Sequence, residues 1–381
     1  MTPIITTNFD DHIGLAVVRS LGRNNIDFRV VSNTKKTLAW YSRYCEKKIL
    51  NRFDLDFFLK LSEEDVIFPM LEETMLLLAK NKAKLQCRLG FSDYETLRTA
   101  SDKSLLIQHA IKNNIPCPKT FFITNREDIR DCISVIDFPV ILKPGRGAGG
   151  KGIQSIDSPD QLPAIAERSL ANNGPLLLQE KIPFTKKYTI GALCNFEHEL
   201  KRVCVMQELR NYPVETGQAC YVETVNEPGL VQFAEKLLSS MDFVGIADID
   251  LVIDSRDNQP KLMEINPRFW GSLQLAINAG VDFPYLLNTM LIDGDIEKSL
   301  GYQTGVRCRY VVYTEIKRLI TILRGDYPAR YKRKVLLDFF KMHDNDSYYI
   351  FSREDIIPFF GLGYIKLLRK LGLAENPAER H

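Results

Sequence analysis

The chain has 381 residues, of which 45% are hydrophobic and 26% charged, and its 50 basic and 48 acidic side chains leave a net charge of +2. That length carries two or three domains with a sizeable core, and the composition excludes a disordered chain. Near-balanced charge argues against whole-surface binding of nucleic acid, so no nucleic-acid partner is expected.

In chain order, residues 3–6 read as a short β-branched strand, 13–21 as a helix and 28–31 as a second strand. Residues 65–69 repeat the buried-strand pattern, followed by a helical stretch over 72–80. Such alternation predicts a parallel sheet covered by helices, and residues 1–100 read as a Rossmann-like N-terminal domain. Ser101-Asp102-Lys103-Ser104 opens a helix running to about Lys112, which the prolines at 116 and 118 close off. Residues 138–182 read strand, glycine loop, strand, helix, strand, and residues 243–268 read as two strands flanking a polar turn. Beyond about 296 the pattern loses its periodicity and becomes basic, with nine Lys or Arg between Arg307 and Lys334 against Glu315 and Asp326. The eight cysteines include no C-x-x-C pair, so buried thiols in a reducing compartment are expected rather than a zinc site. The opening segment is too polar for a secretory signal and no apolar run nears the ~18 residues that span a bilayer, so a cytoplasmic location is expected.

The strand over 138–144 ends on Lys143 and leads into Gly145-Arg-Gly-Ala-Gly-Gly-Lys-Gly152, five glycines in eight positions. Glycine lets backbone N–H groups approach a phosphate closely, and Arg146 and Lys151 add positive charge. The loop satisfies G-x-G-x-x-G at Gly145, Gly147 and Gly150 and nearly the Walker A spacing, but Gly152 stands where a magnesium-binding Ser or Thr is required. Both motifs demand a helix directly after the loop. Gly152-Ile-Gln-Ser-Ile156 alternates like a strand instead, which predicts a glycine flap between two antiparallel strands.

The strongest signal is Asp248-Ile-Asp250 followed by Met263-Glu-Ile-Asn-Pro-Arg268. Residues two apart share a strand face, so Glu264, Asn266 and Arg268 lie together, as do Asp248 and Asp250. A hairpin centred on Asp257 sets Asp250 opposite Glu264. Opposed carboxylates repel unless a cation lies between them, and two carboxylates with an amide oxygen suit magnesium on nucleotide phosphates. Asp248 is the alternative ligand to Asp250.

Lys143, the glycine flap, Gln179-Glu-Lys-Ile-Pro183 and Met263-Glu-Ile-Asn-Pro-Arg268 together resemble the nucleotide site of the ATP-grasp superfamily, over residues 101–295 and in order. Phe269-Trp-Gly-Ser272 and Ala279-Gly-Val-Asp-Phe-Pro284 resemble the carboxylate–amine ligases related to D-aspartate ligase and carbamoyl phosphate synthetase. The resemblance implies an α/β protein with a Rossmann-like domain over 1–100 and a two-lobed ATP-grasp domain over 101–295. Its small lobe would cover about 120–183 and its large lobe 184–295, with a basic C-terminal extension over 296–381. It implies ATP and two magnesium ions, with manganese a substitute, held by Asp250, Glu264 and Asn266. Lys103 and Lys143 would hold phosphates under the flap residues Gly147, Gly149, Gly150 and Lys151. Glu180, Lys181 and Ile182 would form the adenine hinge, and Lys143, Glu264 and Arg268 would serve catalysis.

At the ribose position past the hinge, where such ligases place an acid, this chain has Lys186-Lys187. Small-molecule carboxylate and amine substrates, amino acids or nucleotide-linked acids among them, are expected near Arg210, Thr216-Gly-Gln218, Trp270, Gly271 and Ser272, with Arg210 as carboxylate anchor. The rival function is a nucleotide-binding regulatory module without ligase turnover. A homodimer is the expectation from symmetry alone, and the basic C-terminal region suggests either a solvated face or a patch for an anionic partner such as a membrane surface.

Overall fold

The computed structural model describes residues 1–7, 12–34, 36–145, 152–214 and 217–370. Its N-terminal sheet is built from β1 (Thr2–Thr7), β2 (Arg29–Ser32), β3 (Lys47–Leu50), β4 (Asp65–Pro69) and β5 (Arg88–Leu89). These lie in the order β3-β2-β1-β4-β5, all parallel. The helices between them are α1 (His12–Arg23), the single turn α2 (Leu55–Phe58) and α3 (Glu72–Lys80). Every residue of β4 is buried, which is why it reads as a continuous apolar run and not an alternating one.

Helix α4 (Tyr94–Ser101) leads into α5 (Lys103–Lys112), whose cap Asp102 accepts from the Ser104 and Leu105 N–H groups. The small lobe follows as β6 (Thr120–Ile123), α6 (Arg126–Ile133), β7 (Val140–Pro144), β8 (Gln154–Ile156), α7 (Leu162–Asn173) and β9 (Leu176–Glu180). Its sheet has the order β6-β9-β7-β8. Strands β7 and β8 pair antiparallel from Val140 opposite Ile156 to Leu142 opposite Gln154, so a strand, not a helix, follows the glycine segment, whose residues 146–151 lie outside the described ones. That excludes the strand-to-helix geometry of both dinucleotide and Walker A loops.

The large lobe comprises β10 (Phe184–Cys194), β11 (Leu200–Tyr212), β12 (Gln218–Thr224), α8 (Pro228–Ser239), β13 (Gly245–Asp254), β14 (Pro260–Asn266), α9 (Leu273–Asn278) and α10 (Phe283–Asp293). Strand periodicity divides its two faces. Val203, Val205, Ile190, Ile249 and Leu251 pack with Phe233 and Leu237 of α8. Cys204, Met206 and Ile246 turn the other way, into a core shared with Trp270, Phe283 and the N-terminal residues Leu15 and Phe68.

The residues beyond 296 are more integrated than their loss of periodicity suggests. Strands β15 (Arg307–Arg309) and β16 (Asp346–Tyr348) complete a seven-stranded sheet in the order β14-β13-β10-β11-β12-β15-β16. Three residues are too short a run for a period to show. Helices α11 (Ile316–Arg324), α12 (Ala329–Phe340) and α13 (Ile357–Lys370) follow. Tyr349, Leu362 and Ile365 enter the same core as Leu15 and Trp270. The fully buried Arg19 of α1 donates from Nε to Asp355 at 2.9 Å and to the Ile350 and Asp355 carbonyls at 2.8 and 2.7 Å. Ser42 and the Arg43 N–H complete the Asp355 carboxylate, each at 2.8 Å. Among the described residues no helix is long and apolar enough to cross a membrane, and all eight cysteines are unbridged.

Candidate functional site

Three elements deliver the cations and carboxylates. The Lys103 N–H at the start of α5 donates to the Gly145 carbonyl at 2.9 Å, tying the helix to the mouth of the glycine hairpin. A side chain at Gly145 would meet the Ser104 hydroxyl, which would have to turn aside. From there the Lys103 ammonium reaches Glu264 of β14 at 3.1 Å. Lys143 at the end of β7 is buried and lies within electrostatic reach of both. Burial, and then Lys103, bring its ammonium down to about 8, while Glu264 opposes the shift.

On the large lobe, β13 and β14 pair Asp250 with Glu264 and Asp248 with Asn266, as the hairpin count predicts. Beyond Asp250 the register shifts and Leu251 meets Leu262, so Met263 is the extra residue of a bulge beside Glu264. Strand β10 adds Thr189 opposite Asp250 and Gly191 opposite Asp248. The Thr189 hydroxyl donates to Asp250 at 2.7 Å, and the Asn266 amide donates to Asp248 at 3.1 Å. Arg268 donates to the Asn266 amide oxygen at 3.3 Å and to the Phe269 carbonyl at 2.9 Å.

Burial drives Asp250 up to about 7, helped by Glu208 and Glu264 and opposed by Lys187. Burial also raises Asp248, with Asp250 adding to it, and its Oδ1 is buried without a donor. Burial pushes Glu264 the same way, but Lys103, Lys143 and Lys187 hold it below the ordinary carboxylate range. Lys187 and Arg268 oppose the rises at Asp250 and Asp248 without cancelling them, and a divalent cation held there would add the positive charge that keeps both carboxylates ionised. Among the described residues no three His, Cys, Asp or Glu side chains stand close enough to chelate a metal unaided.

Lys187, Glu208 and Thr189 belong to this cluster and carry no motif of their own in the sequence. Lys187 pairs with the buried Glu208 at 3.0 Å. Although burial disfavours its charge, Glu208, Asp250 and Glu264 hold its ammonium above the usual value. The lysine at the expected ribose position thus faces the carboxylates, whereas Lys186 points toward Glu227, 4.0 Å away.

Several expected site residues are committed elsewhere. Arg210, expected as a carboxylate anchor, binds the buried Glu315, donates to the Asp338 carbonyl at 2.9 Å and stacks over Tyr221 at 4.8 Å. The carboxylate it holds is therefore the protein's own. Trp270 is not a substrate contact: its ring is buried beneath Gly191 and packs edge-on against Phe283 at 5.0 Å. Ser272 is likewise buried, with its hydroxyl 3.5 Å from the Met206 sulfur. Gly271 passes close to His12 at the start of α1.

At the hinge, Glu180 accepts from Arg256 and from the Lys119 N–H at 2.7 and 2.8 Å, which ties up the side chain expected at adenine. The Lys181 ammonium donates to Ser155 of β8 at 3.1 Å, and Ile182 is buried. Arg146, Gly147, Gly149, Gly150, Lys151 and Thr216 lie outside the described residues.

Residues 100–272 match the family model described as the ATP-grasp domain. The chain is 22% identical over 282 residues to the carbamoyl phosphate synthase large chain of Helicobacter pylori, covering 69% of this chain and 25% of that protein. It thus spans about a quarter of the length of the curated relatives it matches. Among solved structures, the N5-carboxyaminoimidazole ribonucleotide synthetase in its ADP complex superposes with a TM-score of 0.67 at 16% identity, covering 98% of this chain and 97% of that one. The biotin carboxylase domain of Hydrogenobacter thermophilus 2-oxoglutarate carboxylase, crystallised as a dimer with MgADP and bicarbonate, gives a TM-score of 0.65 at 15% identity. It covers 80% of this chain and 73% of its own.

Proposed function

The chain belongs to the ATP-grasp superfamily, and from that premise we propose that it is an ATP-dependent carboxylate–amine ligase working through an acyl phosphate. The observation that carries this reading is the meeting of Lys103 and Lys143 with Glu264, beside the Asp250–Glu264 and Asp248–Asn266 pairs. A carboxylate cannot expel oxide, so an amine can displace oxygen only after that oxygen is phosphorylated.

Lys103, Lys143 and Arg268 balance the triphosphate and the charge that grows on the transferring phosphoryl group. Asp250, Glu264 and Asn266 form the oxygen set for magnesium or manganese, and Asp248 orients Asn266 through their hydrogen bond. A metal held by these residues would supply charge neutralisation to the nucleotide phosphates. Burial of Lys143 limits the access of water beside the activated acid. The amine then attacks the acyl carbon, phosphate leaves with the former carboxylate oxygen, and an amide or peptide bond results.

Glu264, Asn266 and Lys143 together favour turnover over a purely regulatory nucleotide module. Mg-ATP, ADP and phosphate would be the nucleotide species, and the MgADP and bicarbonate bound to the biotin carboxylase relative place bicarbonate among the acids to try. The test is ADP and phosphate release from Mg-ATP with pooled acids and amines: amino acids, dipeptides, nucleotide-linked acids and bicarbonate. Substrate-dependent ADP supports the ligase. AMP with pyrophosphate would replace it by an adenylating enzyme, and tight ATP binding with no turnover across the panel would favour the regulatory module.

A further inference from the structure

The exposed apolar surface is concentrated in one part of the chain. Among the described residues, 22 large hydrophobic side chains stand exposed, and 12 of these fall between Val312 and Tyr364. That density marks an interaction face, whereas the other ten are scattered singly as on any protein surface. Val312, Ile316, Ile320 and Leu323 follow helical spacing through the π-helical turn Val311–Glu315 and α11, so their stripe points away from the buried Ile322. Leu336, Leu337 and Phe340 do the same on α12, while Val335 is buried. Phe340 and Met342 are 70% and 73% exposed. Val312, Phe340 and Met342 also line a cavity of about 360 Å³ with Phe339, Phe351 and Phe359, so the stripes meet around one apolar recess open to the surface.

The same segment is strongly basic. Between 311 and 342 it holds eight Lys or Arg against Glu315, Asp326 and Asp338, and Glu315 is already neutralised by Arg210 and Arg309. Arg324, Arg330, Arg333 and Lys334 are exposed. Charge selects the occupant. A second copy docked by two-fold symmetry would set this basic patch against itself. Short amphipathic helices with exposed Phe, Leu and Ile between Lys and Arg match the boundary between acyl chains and anionic headgroups.

We propose that α11, α12 and the start of α13 dock the protein on the surface of an anionic phospholipid membrane. Phe340 and Met342 enter the headgroup boundary, and the basic residues meet lipid phosphates. The recess at Phe339 and Phe359 leaves room for the end of an acyl chain. Nothing in this attachment depends on the ligase chemistry, so it stands or falls separately.

The experiment is flotation of the full chain with vesicles of phosphatidylcholine containing about one third phosphatidylglycerol, beside pure phosphatidylcholine vesicles, at low and high salt. Binding to the anionic vesicles alone, weakened at high salt, is expected. Phe340→Ser with Met342→Ser, and separately Lys332→Gln with Arg333→Gln and Lys334→Gln, should each lower partitioning about tenfold or more. Both variants should keep the thermal melting profile of the parent, since the substituted residues are exposed or at the rim. Absence of anionic-vesicle binding overturns the proposal. So does binding that neither variant weakens, or a change in solution mass on the Phe340 and Met342 substitution that reveals a protein interface.

Discussion

Arg210→Ala separates a residue that anchors substrate from one that holds the fold together. Arg210 makes a charged contact with Glu315, a 2.9 Å bond to the Asp338 carbonyl and a cation–π contact with Tyr221 at 4.8 Å. Truncation does not strand Glu315, because Arg309 still donates to it twice, at 2.9 Å each. With Glu315 still served by Arg309, the uncompensated losses are the charge-assisted bond to the Asp338 carbonyl, about 1.5–3 kcal/mol, and the cation–π contact, about 0.5–1 kcal/mol. A destabilisation of about 2–4 kcal/mol is expected, below the roughly 3–5 kcal/mol for Glu315→Ala, which leaves two guanidiniums without their carboxylate. Urea unfolding followed by the fluorescence of Trp40 and Trp270 measures both. The Michaelis constant for whichever acid supports ADP release should stay within about twofold of the parent under native conditions. An unchanged urea midpoint together with a rise of tenfold or more in that constant would refute the structural role and restore Arg210 as the anchor.

Glu264→Gln should leave the melting profile nearly unchanged, since Glu264 is only partly buried, yet remove most ADP release; parental turnover would disprove the metal and lysine assignment. With its ammonium at about 8, Lys143 should shed its proton as pH passes 8, so kcat/KM for ATP should fall about tenfold per unit above that point. The stability sign is opposite: between about 8 and 10.5 the unfolded chain keeps a proton the native state has lost, so this group makes folding more favourable as pH rises. A flat kcat/KM profile to pH 10 would remove Lys143 from the phosphate site. Gly191→Ala forces a methyl into the Trp270 ring and should cost about 1–3 kcal/mol in urea unfolding; a neutral result would mean that the ring has room to move.

Local periodicity made most of the fold and half of the site legible. The alternation over 248–252 and 262–268 was enough to place Asp250 opposite Glu264, because side chains in a hairpin are counted from the turn. Nearer the turn the count is off by one, with Leu251 opposite Leu262, and the Met263 bulge, which no composition rule announces, brings Asp250 opposite Glu264. Lys187, Thr189 and Glu208 were beyond reach because β10 joins the site by pairing with β13, and β11 by pairing with β10, long-range choices that their own residues do not encode. Arg210 and Trp270 were misread for a related reason. Nearness along the chain to the metal strand suggested a pocket, but the Arg210 partner lies 105 residues away and the Trp270 ring fills the space under a glycine of another strand.

The pairing of Arg19 with Asp355 sets a timetable for making the protein. The two residues are 336 apart in the chain, so at about 5–20 residues per second the partner leaves the ribosome roughly 20–70 s after the arginine. Until then, the site that buries this guanidinium offers it no carboxylate, and burying an unpaired charge costs several kcal/mol. The parallel sheet can form early, but the side of α1 that carries Arg19 has reason to stay in water until the last helices arrive. A nascent chain halted between residues 300 and 350 would therefore present that side to chaperones and proteases, while the finished one hides it.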